Sequence, residues 1–175
     1  MNWLGAIIRG CYWLEGESVL DLGCGTLAPT GRFGSMHLAV DCFEPYRATL
    51  KASERGRQDG TRIGAIPEVM DSIASKSWDL VMLLDVIEHL DKPDAVLALT
   101  LARNIARCRV VIFTPDGPVA QGGLDDGHGH NAAQAHRCSF TRDELDAMGF
   151  ETQLHETGNA QSGRCMGVLG VLECA

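Results

Sequence analysis

The chain has 175 residues, 45% of them hydrophobic and 22% charged, with a formal net charge of −8. That balance fits a single folded domain over residues 1–175 and excludes a disordered or low-complexity segment. The acidic excess argues against nucleic acid or an anionic lipid surface as a partner, since phosphate contacts need clustered Lys and Arg; Arg47, Lys51, Arg55 and Arg57 read as a solvated helix face.

Residues 2–14 place Trp3, Leu4, Ile7, Ile8, Cys11 and Tyr12 at helical spacing, which predicts an amphipathic opening helix within 1–15, packed on the body of the domain. Val19, Leu20 and Leu22 then read as a buried parallel strand ending in Gly23-Cys24-Gly25. Glycines there let the backbone turn sharply and approach a ligand. Asp21 puts a carboxylate at the C-terminal end of the strand, where open α/β sheets bind ligands. Gly23, Gly25 and Ala28 also satisfy the loose dinucleotide spacing G-x-G-x-x-A, which a plain strand-to-loop turn shares.

Pro29, Gly31 and Gly34 shorten or break the helix that follows such a loop. A second strand over 36–40 ends at Asp41, the expected place of a ribose-binding acid. Two acids at adjacent strand ends, flanking a glycine loop, describe a nucleoside site for a cationic or hydroxylated ligand. Residues 44–55 read as a helix with Pro45 in its first turn, 62–66 as a short strand and 67–74 as a short helix.

The apolar run 78–84 is the strongest strand and ends at Asp85-Val86-Ile87-Glu88-His89-Leu90. A helix over 91–106 has Asp91 as its cap and Pro93 in its first turn. The fifth strand, 109–113, ends at Thr114-Pro115-Asp116-Gly117. Residues 117–138, rich in Gly, Ala, Asp and His, form a long irregular loop; loops of that length are usually functional, here a substrate or lid loop. A helix over 141–148 opens with the capping-box pair Thr141 and Glu144 and stops at Gly149. Strands over 151–156 and 166–174 close the chain. The alternation of strands and helices predicts a mostly parallel α/β sandwich.

No apolar run approaches the length of a membrane span, and the short stretch 3–8 has no small-residue cleavage site after it, so neither a span nor a secretory leader is expected. Seven cysteines without C-x-x-C spacing fit a reducing, cytoplasmic setting. The sequence leaves the oligomeric state open. Candidate proton acceptors are His89, His136, Glu88 and Asp116, with a structural hydrogen bond as the plainer role for each histidine. Asp125, Asp126, His128 and His130, with His136, offer metal-ligand types, but the spacing fits no standard site and no metal is expected.

The motifs VLDLGCGT (19–26), AVDCFEP (39–45), SWDLVMLLDVIEHL (77–90), VVIFTPDG (110–117) and HRCSFTRDELDAMGFE (136–151) resemble, in that order, those of class I S-adenosylmethionine-dependent methyltransferases. The AVDCFEP segment is similar to that of ubiquinone-biosynthesis-type O-methyltransferases. The resemblance implies a three-layer Rossmann-like sandwich with a seven-stranded sheet, order 3-2-1-4-5-7-6, the last strand antiparallel. It implies S-adenosylmethionine as cofactor. Asp21, Gly23, Cys24 and Gly25 would surround its methionine part, Asp41 and Cys42 its ribose, Asp85 and Val86 its underside. Ala65 and Ile66 would meet the adenine through backbone and apolar contact, because no acid stands there. Glu88 and His89 match the pair at the pocket mouth. Leu27 replaces a frequent third glycine.

The leading reading is methyl transfer to a small-molecule acceptor, at oxygen. A second is a catalytically silent S-adenosylmethionine-binding partner or regulatory protein, motivated by Leu27, the missing adenine acid and the lack of an inserted substrate subdomain. A nicotinamide-dependent oxidoreductase ranks third, because the broken segment after Gly25 makes a poor helix N-terminus for a pyrophosphate.

Overall fold

The computed structural model describes residues 7, 11–12, 14–23, 66–125, 130–131, 134–159 and 163–174. The elements in chain order are β1 (Val19–Leu22), β2 (Trp78–Leu84), α1 (Lys92–Ile105), β3 (Ala106–Pro115), β4 (Leu124–Asp125), β5 (His130–Asn131), α2 (Arg142–Ala147), β6 (Glu151–Asn159) and β7 (Gly163–Glu173). Five strands form one sheet in the order β1-β2-β3-β7-β6, and β4 and β5 pair as a separate ribbon. β1, β2 and β3 run parallel, whereas β7 is antiparallel to both β3 and β6.

Among the described residues the sheet holds five of the seven strands of the expected order. Its five strands follow the 1-4-5-7-6 part of that order, with the last strand reversed. The predicted strands over 36–40 and 62–66 lie outside the described residues except for Ile66, which sits in a turn, not a strand. The predicted helix over 67–74 is a shorter 3-10 turn, Glu68–Ser72. β3 starts three residues earlier than predicted because Ala106, at the end of α1, is already extended (φ −69, ψ 134) and no loop intervenes. Asp91 precedes α1 without a side-chain cap bond; its carbonyl accepts from Ala95 N at 2.9 Å. At α2 the capping box forms as predicted, with Thr141 N donating to Glu144 Oε2 at 2.8 Å and Glu144 N to Thr141 Oγ1 at 3.2 Å.

Burial follows from the runs. Leu80, Val81, Met82 and Leu83 are fully buried, and alternate side chains go to opposite faces. Each such side chain stabilises the fold by about 1.5–3 kcal/mol. One face packs Leu20, Leu22, Val81, Leu83, Val110 and Ile112 against the Ala95, Ala98, Leu99, Ala102 and Ile105 stripe of α1. The other gathers Val19, Leu80, Met82, Val111, Phe113, Leu169 and Val171, with Ile7 and Tyr12 packed against them. Arg109 holds that opening segment, donating to the Tyr12 carbonyl at 2.7 Å and pairing with Glu17 at 3.0 Å.

Candidate active site

β1 and β2 lie in register, Leu22 beside Leu83, so their C-terminal turns meet. Gly23 follows β1 with φ +77, and a Cβ on it would stand 2.5 Å from Val86 Cγ2. Only glycine permits both that conformation and that approach. Asp21 is buried at the same edge. After β2, Asp85 has φ +54, a left-handed conformation uncommon outside glycine, and its N–H donates to the Phe113 carbonyl at 2.9 Å. Such residues persist where their surroundings over-determine them, often at functional sites. Asp85 stands exposed at the rim, yet the protein around it displaces enough water to push its carboxyl up.

The chain then makes a 3-10 turn, Ile87–His89, anchored by fully buried Ile87. Glu88 points inward and is buried. Its Oε2 accepts from the Thr114 hydroxyl at 3.1 Å. Burial, and next the charge of Asp85, push its carboxyl up to about 8. The Glu88 main-chain carbonyl accepts from Arg137 N at 2.8 Å and Cys138 N at 3.2 Å. The C-terminal end of the 117–138 loop, at Arg137 and Cys138, therefore returns onto this turn.

That return brings two histidines together. His89 Nδ1 donates to the Ala135 carbonyl at 3.3 Å, and His136 Nδ1 to the Val119 carbonyl at 2.7 Å. A carbonyl only accepts, so each Nδ1 carries the hydrogen and each neutral ring keeps a bare Nε2. Burial, chiefly, holds the His89 pKa below its ordinary value, which favours the neutral ring. The two ring centroids are 5.1 Å apart with planes at 62°. One ligand-type atom from each of Glu88, His89 and His136 lies within 4.8 Å of the other two. Among the described residues neither Nε2 has a protein partner.

Of the sequence candidates, the fold places Asp21, Gly23, Asp85 and Val86 at one edge and Glu88, His89 and His136 in one cluster beside it. Asp116 is engaged differently: its Oδ1 accepts from Arg142 N at 2.9 Å, which ties β3 to the start of α2. Ile66 is half-buried against the core. Cys24, Gly25, Asp41, Cys42 and Ala65 lie outside the described residues, as do Asp126 and His128. Sequence reasoning missed Thr114, the donor to Glu88. A lone hydroxyl closing the apolar run 110–113 was the available signal. The carbonyls of Val119 and Ala135 left none, since a backbone group has no residue-type signature.

A family model described as "Methyltransferase domain" matches residues 20–107. No curated protein matches by sequence. Solved structures do. A SAM-dependent methyltransferase from Methanosarcina mazei is 14% identical, with a TM-score of 0.69 over 95% of this chain and 96% of that one. The 1,6-didemethyltoxoflavin-N1-methyltransferase of Burkholderia thailandensis, with bound 1,6-didemethyltoxoflavin and S-adenosylhomocysteine, is 22% identical, with a TM-score of 0.66 over 98% and 76%. Magnesium protoporphyrin IX methyltransferase from Synechocystis, with bound SAM, is 18% identical, with a TM-score of 0.59 over 97% and 76%. At these identities the likeness is one of fold.

Proposed function

The chain belongs to the methyltransferase-domain family, and from that premise we propose that it transfers a methyl group from S-adenosylmethionine to a small-molecule acceptor, at oxygen. The observation that carries the reading is the strand-end edge where Gly23 rests on Val86 beside buried Asp21. A buried carboxylate suits the cofactor's ammonium group, and glycine at position 23 lets the turn after β1 close on Val86 beside it. Both features fit the cofactor.

Bound there, S-adenosylmethionine supplies an already activated methyl group. What the chain contributes is alignment of donor and acceptor, worth several orders of magnitude in rate. Asp21, Gly23, Cys24 and Gly25 would hold the methionine part, Asp41 and Cys42 the ribose, and Asp85 and Val86 the underside, and Ala65 and Ile66 would meet the adenine. The proton of an acceptor hydroxyl passes into the Glu88–His89–His136 cluster, where the bare Nε2 atoms are the basic sites; Glu88, raised to about 8, is largely protonated at neutral pH and positions rather than accepts. Two fold relatives act on toxoflavin-type and protoporphyrin substrates, which supports a small-molecule acceptor. None of the described helices is long and apolar enough to cross a membrane.

The test is incubation of the full chain and a cell extract with methyl-labelled S-adenosylmethionine, followed by mass spectrometry. Label in a small molecule, sensitive to mild base if an ester and stable if an ether, supports transfer at oxygen. Cofactor binding without label transfer across broad acceptor panels marks the silent-partner alternative instead.

A further inference from the structure

We propose that Glu88, His89 and His136 form a binding site for one divalent transition-metal ion, of the class that prefers imidazole nitrogen with a single carboxylate, beside the cofactor edge. Each residue presents one ligand atom, and the three atoms lie within 4.8 Å of one another. A cation about 2.1 Å from each ligand needs neighbouring ligands roughly 3–3.5 Å apart. An inward movement of about an ångström, within the reach of small ring rotations at such bond lengths, closes the set.

Two further features point to a cation rather than to three residues that happen to meet. Each imidazole donates Nδ1–H to a backbone carbonyl, at 3.3 Å from His89 to Ala135 and 2.7 Å from His136 to Val119. That arrangement fixes the tautomer and leaves Nε2 as the nitrogen with a free lone pair, as outer-shell partners do for metal-bound histidines. Glu88, in turn, is buried and tethered through Oε2 to the Thr114 hydroxyl, which fixes its carboxyl beside the two rings. Two imidazoles suit zinc, iron, nickel or copper better than magnesium and calcium, which prefer all-oxygen shells. Three protein ligands leave positions open, the pattern of a working rather than a structural site.

The purpose of the site, though not its existence, rests on the methyl-transfer reading. An acceptor hydroxyl that takes an open position loses its proton to solvent more readily, because the cation stabilises the oxyanion. With the ion in place the histidines hold it instead of receiving that proton. The sequence offered metal-ligand types from Asp125 to His130, with His136, at a spacing that led to no metal being expected; the return of the loop onto the Ile87–His89 turn brings His136 to Glu88 and His89.

Untagged full chain, stripped with a chelator, is titrated with Zn2+ by calorimetry and with Co2+ by visible absorption. One equivalent of each is expected, and the Co2+ spectrum should lack the intense near-ultraviolet absorption of thiolate ligation. His136→Ala should weaken both by at least about tenfold. His89→Gln serves as the second variant, and thermal melts of both establish that they fold. Cys138→Ser, beside the turn, should leave the titration unchanged. Stoichiometric binding that survives His136→Ala in a folded protein, or a thiolate spectrum, overturns the site, as does absence of binding by the stripped wild type. S-adenosylhomocysteine titrated into the same stripped protein separates the two ideas: its binding without metal binding sinks only this one, and metal binding without it sinks only the cofactor reading.

Discussion

Gly23→Ala is the sharpest single perturbation of the cofactor edge. Two separate costs follow from the structure. An alanine at φ +77 adopts a left-handed conformation that costs an L-residue about 1–2 kcal/mol. Its Cβ would also stand 2.5 Å from Val86 Cγ2 and 3.3 Å from Cγ1, and pushing a packed side chain aside costs about 1–3 kcal/mol. The sum, roughly 2–5 kcal/mol, corresponds to a fall in Tm of roughly 4–20 °C for a chain of this size. Cofactor affinity should fall as well, because the displaced Val86 lines the same edge. Urea and thermal unfolding measure the first effect, calorimetry with S-adenosylhomocysteine the second. Adding Val86→Ala removes the methyls that collide and should recover only the steric part, so the double mutant shows a favourable coupling of about 1–3 kcal/mol while the conformational part remains. Wild-type stability in Gly23→Ala, or strict additivity in the double mutant, refutes the reasoning.

The remaining predictions are more local. Asp79 Oδ2 accepts from Ser18 Oγ at 2.7 Å and Ser18 N at 2.8 Å, and Arg107 Nε stands 3.0 Å from Oδ1. These contacts, the Ser18 hydroxyl first, hold the Asp79 carboxyl below its ordinary range. A depressed folded pKa contributes stability that is present above the unfolded value of 3.8 and lost as pH falls through the folded one. Asp79→Asn should therefore destabilise near neutral pH, by about 1 kcal/mol, and converge with wild type in the acid limb of a pH–stability series. Thr114→Val leaves the buried Glu88 carboxyl without its hydroxyl donor and should cost about 1–3 kcal/mol by urea unfolding. Glu144→Ala removes half of the α2 capping box and the 2.9 Å pair with Lys92, and should cost about 1 kcal/mol, less at high salt. Equal stability at low and high salt with no loss in water contradicts that account.

What the sequence disclosed was local. The run 78–84 is fully apolar but for Asp79, and β2 spans Trp78–Leu84. Thr141 and Glu144 stand at the spacing of a capping box, and both bonds form. Long-range contacts left weaker traces. The bond from Thr114 to Glu88 and those from the two histidines to Ala135 and Val119 join segments distant in the chain, and two of the three end on backbone carbonyls, which any residue supplies. Asp116 stands at a strand end, as a base commonly does, and its Oδ1 accepts from the N–H at the start of α2, a bond that the sequence did not signal. Composition marked 117–138 as an irregular loop but gave no sign that Arg137 and Cys138 bond to the Glu88 carbonyl, because composition records polarity, not hydrogen-bond partners. Ala106 continues from helix to strand without a turn residue, so the boundary there had no punctuation to read.

Calorimetric titration of S-adenosylhomocysteine into the folded full chain tests the central claim most directly. The account predicts one site, weakened by at least about tenfold in Asp21→Asn, since a charge-assisted contact to the ligand's ammonium contributes about 1.5–3 kcal/mol. A folded protein that binds neither S-adenosylhomocysteine nor S-adenosylmethionine, or binds both with an affinity that Asp21→Asn leaves unchanged, contradicts it.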